Sequence, residues 1–464
     1  MIEFDPGSFK DQEGRVFVHN GRVFRTLSPD ALVRMEQLEN DGFLSRLAEK
    51  GILLASWLVS TDEIGMPADQ YGRKIMEHEP VPVITYPYEW SFSMLRASAL
   101  LTLDLLEQCL HAKMTLKDGT PFNLMYHRGR MRFIDTLSID SYHDGQPWNG
   151  YSQFCKEFLF PLMLTGYLHI EFHPWLRGSL KGITAREMAR LLRIRHYFRR
   201  GVLVNVVLQA HFEKMFGKQD IDVLKEARPV FSAHRILAIA AKLRRTIGAI
   251  RYKVDDHMWV NYREENPYSD EEANQKALFI KEVLAEQQPS QVIDIGCNTG
   301  QYSRLAAKTV DRVIAMDVDP SCIDILYQEL LRDGVNNVVP MVANLTDPSP
   351  SLGWNLTERR SLFDRVKSDG FLALALIHHI CIGCNIPLPN FLRMLAKLGK
   401  WGVIEWVDKS DPMVRKLLRN RQDIFVEYTW EKFQETAKQM FNIRRICEMR
   451  GGRRTLCYVV PKDG

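Results

Sequence analysis

The stretch Val292-Ile293-Asp294-Ile295-Gly296-Cys297-Asn298-Thr299-Gly300 concentrates residues that could handle a ligand. An apolar run ends in Gly-x-x-x-Gly, and a helical pattern follows over Tyr302–Lys308. Glycines let the backbone turn sharply and approach a ligand with no Cβ in the way. The helix that follows presents free N–H groups and a partial positive charge. A second apolar run, Arg312–Met316, ends in Asp317. An acid at the end of a second strand, about 20 residues past such a loop, is where the hydroxyl pair of a nucleoside ribose binds. Further on, His378-His379 follow the apolar run Phe371–Ile377, and Glu405 ends the run from Gly402. A histidine near its ordinary pKa suits removal of a proton from a hydroxyl or amine. Side chains alternate along a strand end, so one of His378 and His379 is expected to face a pocket. Glu405 reads as its orienting partner or as a ligand for a substrate hydroxyl.

Two further groupings carry other chemistry. His378, His379, Cys381 and Cys384 are zinc-type ligands. Four ligands within seven residues do not readily close a tetrahedron, and no second cysteine pair stands elsewhere, so no metal is expected. Asp118, Asn123 and Asp135 have the spacing of a kinase catalytic loop followed by its magnesium-binding acid. The pattern departs at Leu116, where the loop histidine would stand, and at Arg25, where a lysine would be sought; no glycine-rich phosphate loop is present. The alternatives are a degenerate kinase-like remnant and a chance spacing in a turn.

These residues need elements to hold them. After about residue 255, short β-branched runs alternate with helical stretches: Gln291–Ile295, Arg312–Met316, Asn337–Val342, Gly370–Ile377 and Gly402–Val407. Two more runs, Asn442–Glu448 and Arg454–Val460, flank Gly451-Gly452. Alternation predicts an α/β domain over 255–464 with a seven-stranded, mostly parallel, Rossmann-like sheet. Residues 1–150 read as a mixed α+β domain: a hairpin over Gly14–Ser28 around Asn20-Gly21, helices over Ala31–Lys50 and Ser91–His111, and a strand pair at Asn123–Tyr126 and Met131–Ile134. Residues 151–254 read as a helical, basic segment. Leu176–Lys253 holds 18 Lys and Arg against 5 Asp and Glu, although the whole chain carries a net charge of only +4. Such asymmetry points to an anionic partner or to a solvated face paired with the acidic remainder.

With 45% hydrophobic and 25% charged residues over 464 positions, the composition is that of a globular protein. Eight scattered cysteines outline no disulfide framework. Met1–Asp11 lacks the basic start and apolar run of a secretory leader, and no run is long enough to span a bilayer. A cytoplasmic location is expected.

Strand-Asp-x-Gly-x-x-x-Gly, here Asp294-Ile-Gly-Cys-Asn-Thr-Gly-Gln-Tyr-Ser303, resembles motif I of class I S-adenosylmethionine (SAM)-dependent methyltransferases. The resemblance implies SAM as cofactor, bound by the loop of Asp294, Gly296, Asn298 and Gly300, with Asp294 contacting its methionine part directly or through water. It also implies Asp317 on the ribose and Asn344-Leu345 beside the adenine. Trp259 and Tyr262, before the first helix, would close over the cofactor or pack as core aromatics. Asn344–Pro350, Gly353-Trp354, Glu358-Arg359 and Ala373–His379 resemble the bacterial nodulation-factor sugar methyltransferase (NoeA)-like family, as do Tyr86–Trp90, Lys117–Asn123 and Phe133–Ser138. That family implies O-methylation of a sugar or glycoconjugate. The charge asymmetry in turn suggests that the basic segment binds a phosphate-bearing carrier, such as a nucleotide sugar. Methylation of a natural product or RNA is the rival within enzymes, although a nucleic acid is not the expected partner. A SAM-binding pseudoenzyme scaffold, with its N-terminal half as the partner-binding module, is the rival outside them. The oligomeric state stays open.

Overall fold

The computed structural model describes residues 2–216, 232–253, 269–419 and 422–462. The chain divides into two compact units, one drawn from Met1–Lys253 with Ser351–Arg360, the other from Val254–Pro350 with Ser361–Gly464.

In the first unit, β1 (Val16–His19) and β2 (Arg22–Arg25) pair as a hairpin. Asn20 and Gly21 both take positive φ, 51° and 76°, as a two-residue turn between twisted strands demands. With β3 (Ser56–Ser60) and β4 (Lys74–His78) they form an antiparallel sheet in the order β1-β2-β4-β3. Phe17 and Phe24 stack beneath it, with Val59, Met66 and Ile75 completing the small core. Helix α1 (Pro29–Asn40) is capped by Ser28 and stops short of the expected Lys50. Gly42, at φ 64°, opens a separate helix over Phe43–Glu49. Helix α2 (Phe92–His111) is buried along most of its length. Two short ribbons follow it, β5 (Met114–Leu116) with β8 (Ile139–Ser141) and β6 (Leu124–His127) with β7 (Arg130–Phe133). The basic helices belong to this same unit. Helix α3 (Ala233–Ala249) meets α2, where Arg244 donates to Asp104 and Glu107.

The second unit is built on a sheet of seven strands: β9 (Gln291–Ile295), β10 (Arg312–Asp317), β11 (Val338–Val342), β12 (Gly370–Ala373), β13 (Trp401–Val407), β14 (Phe441–Glu448) and β15 (Arg454–Pro461). Their order is β11-β10-β9-β12-β13-β15-β14. The first five run parallel, and β15 enters antiparallel between β13 and β14. The central strands are buried over nearly all their residues, as strands covered on both faces must be. Helix α4 (Asp270–Gln287) starts at a capping box of Ser269 and Glu272. It buries Phe279, Ile280, Val283 and Leu284 in the core with Val292, Val313 and Leu372. Helices α5 (Gln301–Ala306) and α6 (Pro320–Asp333) follow β9 and β10. The strand order reverses between β9 and β12, which leaves a crevice at the carboxyl ends of those strands, the usual ligand site of an open α/β sheet.

Candidate active site

Strand β9 delivers the chain into a bend with three left-handed residues, Gly296 (φ 72°), Asn298 (φ 52°) and Gly300 (φ 79°). The bend is pinned to the neighbouring strand, because the Gly296 and Cys297 N–H groups donate to the Met316 carbonyl at 2.8 and 3.0 Å. A Cβ on Gly300 would lie 2.4 Å from Leu326 Cδ1, so space and φ both exclude a side chain there. Helix α5 starts at Gln301, directly after the bend.

Asp317 closes β10 and faces this bend. Its Oδ2 accepts the Asn298 N–H at 2.8 Å, and its Oδ1 accepts the Asp319 N–H at 2.9 Å. Each carboxylate oxygen keeps a lone pair for a further donor. Burial pushes the Asp317 carboxyl up to about 6, against the pull of these backbone N–H groups. Asp294 lies deeper, buried, and accepts Ser303 Oγ at 2.5 Å; burial raises it to about 6 as well. The next strand over ends in register, with Val342 beside Asp317. Beyond it Asn344 turns on itself, its Oδ1 accepting from the Thr346 N–H (2.9 Å) and hydroxyl (2.8 Å). Its amide nitrogen is left as the donor available to a nucleobase. Leu345 is half-buried next to it. Trp259 and Tyr262 lie outside the described residues.

The two histidines depart from expectation. Strand β12 ends at Ala373, not Ile377, because Ala375 takes φ 51° and breaks the extended run. His378 and His379 therefore sit where a π-helical turn begins, and strand alternation does not apply to them. His378 is 0% exposed, and neither ring nitrogen has a hydrogen-bond partner among the described residues. Burial, then the adjacent His379 and Arg454, hold its basicity far below the usual histidine range. His379 is half-buried, its ring 3.9 Å from that of His378, and burial lowers it to about 4. Both are neutral at pH 7 and can accept a proton. Cys381 is buried and Cys384 exposed, and among the described residues no group of three or more potential ligands converges on a metal.

Glu405 needs a correction. It is 0% exposed and sits in an ion network instead of at a substrate surface. Lys276 Nζ donates to its Oε2 at 2.6 Å, Arg454 to its Oε1 at 3.3 Å, and the Ala375 N–H to its Oε2 at 2.9 Å. Arg454 Nε also donates to Asp411 at 2.8 Å. Burial lowers Lys276, with Glu405 pulling the other way. Glu405 thus ties α4, β13 and the loop after β12 together, and so fixes the floor beneath the histidine turn. Lys276 and Arg454 were missed at first sight. The signal for Lys276 was present, since it falls three, four and seven residues before Phe279, Ile280 and Val283, on the buried stripe of α4.

A glycine-framed, left-handed bend, a carboxylate with spare lone pairs opposite it, and a strand order of five parallel strands closed by an antiparallel pair define a class I SAM-dependent methyltransferase. Asp317, the backbone of 296–300 and Asn344 present the donors and acceptors that a nucleoside cofactor would need. No family model matches the sequence. The chain is 33% identical over 457 residues to the nodulation protein NoeA of Rhizobium meliloti (strain 1021), covering 97% of this chain and 94% of that protein. It belongs to the NoeA family. Among solved structures, the N-methyltransferase NodS of Bradyrhizobium japonicum WM9 with S-adenosyl-L-homocysteine matches 45% of this chain and 100% of its own, at 11% identity and a TM-score of 0.32. The magnesium protoporphyrin IX methyltransferase ChlM of Synechocystis PCC 6803 with bound SAM matches 46% of this chain and 88% of its own, at 15% identity and a TM-score of 0.30.

Proposed function

We propose that this methyltransferase acts in the cytoplasm on a hydroxyl of a sugar or glycoconjugate, with His379 as general base. The cofactor part of the reading is carried by the Asp317 carboxylate, held by backbone N–H groups opposite the bend of Gly296–Gly300, and the base by the half-buried His379 ring. When bound, SAM supplies an electrophilic sulfonium methyl. Asp317 accepts the ribose hydroxyls, and Asp294 with Ser303 keeps the bend in shape. His379 is the histidine with exposure to a substrate. Its ring nitrogen would take the proton that the acceptor's hydroxyl releases on methylation. His378 packs beneath it as a positioning residue. A pKa of about 4 makes His379 a weak but permanently available base, so it works where the acceptor oxygen is already losing its proton late in the displacement.

Support for a hydroxyl-rich acceptor comes from the first unit. A cavity of about 610 Å³ there is lined by Asp118, Asn123, Gln153, Glu157 and the exposed indole of Trp354. Donors and acceptors beside an aromatic side chain suit a polyhydroxylated ligand. The kinase-like spacing supports binding over phosphotransfer. Arg25 donates to Asp135 at 2.5 Å and also to Asp11, while Asn123 and Ser138 occupy the other Asp135 oxygen. That carboxylate is already neutralised by a cation of the protein itself.

Methyl-labelled SAM offered to the full chain with defined oligosaccharides, and in parallel with structured RNA, tests the proposal. Label is expected in a saccharide. His379→Ala should lower turnover roughly a hundredfold or more while SAM still binds. Label in RNA alone would contradict the acceptor class, and full turnover by His379→Ala would remove the base.

A further inference from the structure

The basic run of the sequence is not absorbed by methyl transfer. One part of it, Arg193–Leu208, places charge and apolar surface together. Arg193, Arg195, Arg199 and Arg200 are all exposed, and none has an acidic side chain at ion-pair distance among the described residues. Arg195 donates to His196 and Arg199 lies over the Tyr167 ring, so neither is neutralised by its neighbour. Arg244, further along the basic run, is by contrast paired with Asp104 and Glu107. Between and after the four arginines the chain presents large apolar side chains to water. Ile194 is 78% exposed and Phe198 89%, on one short 3₁₀ turn, and Leu203, Val204 and Leu208 are exposed on the helical turn that follows.

Water-facing leucine, isoleucine and phenylalanine flanked by unpaired arginines are costly on a free surface and match one kind of partner well. We infer that Arg193–Leu208 is a docking surface for a lipid bilayer rich in anionic headgroups, with Ile194 and Phe198 entering the acyl boundary and the arginines meeting the phosphates. Long arginine stems reach the headgroup layer while the apolar tips sit below it. A second copy of the chain is a poorer occupant, because a two-fold contact would set the same four arginines against each other. RNA is a poorer one too, since single-strand binding uses stacked aromatics and four of the five exposed apolar residues here are aliphatic. The docking is peripheral: among the described residues no helix is long and apolar enough to cross a membrane. The inference stands on this surface alone and holds whichever acceptor is methylated.

Co-sedimentation of the full chain with vesicles of phosphatidylcholine alone, or of phosphatidylcholine with phosphatidylglycerol, tests it. Binding is expected to the anionic vesicles, to weaken as salt rises, and to be absent from the neutral ones. The double variant Ile194→Glu/Phe198→Glu, which alters only exposed side chains, should reduce partitioning roughly tenfold or more while SAM binding persists. Asp317→Ala should bind vesicles as the parent does, which separates this surface from the cofactor site. No binding to anionic vesicles, unchanged binding by the double variant, retention by single-stranded RNA in place of vesicles, or a dimer that the double variant dissociates would each overturn the inference.

Discussion

Two aspartates, one in each unit, stand in similar sequence settings and have opposite electrostatics. Asp135 comes just after β7 and the apolar pair Phe133-Ile134, and Asp317 closes the apolar β10. Yet Asp135 is met by the Arg25 guanidinium and, despite its burial, ends below the usual carboxylate range. Asp317 is met by backbone N–H groups alone and ends well above it, at about 6. The contrast shows why residue type and spacing do not suffice to define a site. A carboxylate already compensated by a cation of the protein is structural. One held in place but left short of positive charge has something still to bind. Charge compensation, more than the motif, separates the proposed nucleoside pocket from the kinase-like spacing of the first unit.

The largest expected effect comes from removing compensation where burial is complete. Lys276→Met would leave Glu405, fully buried, with Arg454 as its remaining cation. Breaking such a pair costs about 3–5 kcal/mol, and urea unfolding should show it. An unchanged midpoint would mean that the network does not hold the floor of the site. Arg25→Met should cost less, about 2–3 kcal/mol, because its partner Asp11 is partly in water. SAM affinity should be unaffected; a parallel loss of SAM binding would break the distinction between the two aspartates.

The smallest effect is a pH dependence. Asp317 and Asp294 have folded-state pKa values raised from 3.8 to about 6. A raised acid contributes stability that is fully present below the unfolded value and is lost as pH rises through the folded one. Their contribution to stability therefore falls between about pH 4 and 6. SAM binding runs the other way, because the ribose needs the ionised Asp317. Affinity should drop by up to roughly tenfold per unit below pH 6. A flat affinity profile from pH 7 to 5 would show that the carboxylate is not engaged by the cofactor.

Much of the second unit was legible because its signals are local. The runs Gln291–Ile295 and Arg312–Met316 lie on β9 and β10, and Arg454–Val460 lies on β15, each marked by β-branched residues between turns. The bend was legible for the same reason, since its glycines announce positive φ. The histidines were displaced because their strand is broken by Ala375, and an alanine gives no warning of a left-handed conformation. Helix Ala31–Lys50 was read through Gly42, although a glycine costs a helix about 1 kcal/mol and here takes φ 64° to open a second helix. Other features depend on distant parts of the chain. The segment Ser351–Arg360 lies between two strands of the methyltransferase sheet in sequence, yet belongs to the first unit. There Lys10 pairs with Glu358 and Arg359 stacks on Phe122. The role of Glu405 was likewise set by Lys276 and Arg454, 129 and 49 residues away.

The most direct test of the nucleoside pocket is isothermal titration of SAM and S-adenosyl-L-homocysteine into the full chain and into Asp317→Ala, at neutral pH. Saturable binding of both is expected for the parent. The variant should lose roughly a hundredfold in affinity, the equivalent of one or two charge-assisted hydrogen bonds, without a loss of fold. Equal affinity in the two proteins, or no binding by the parent, would contradict the assignment of this bend and this carboxylate to the cofactor.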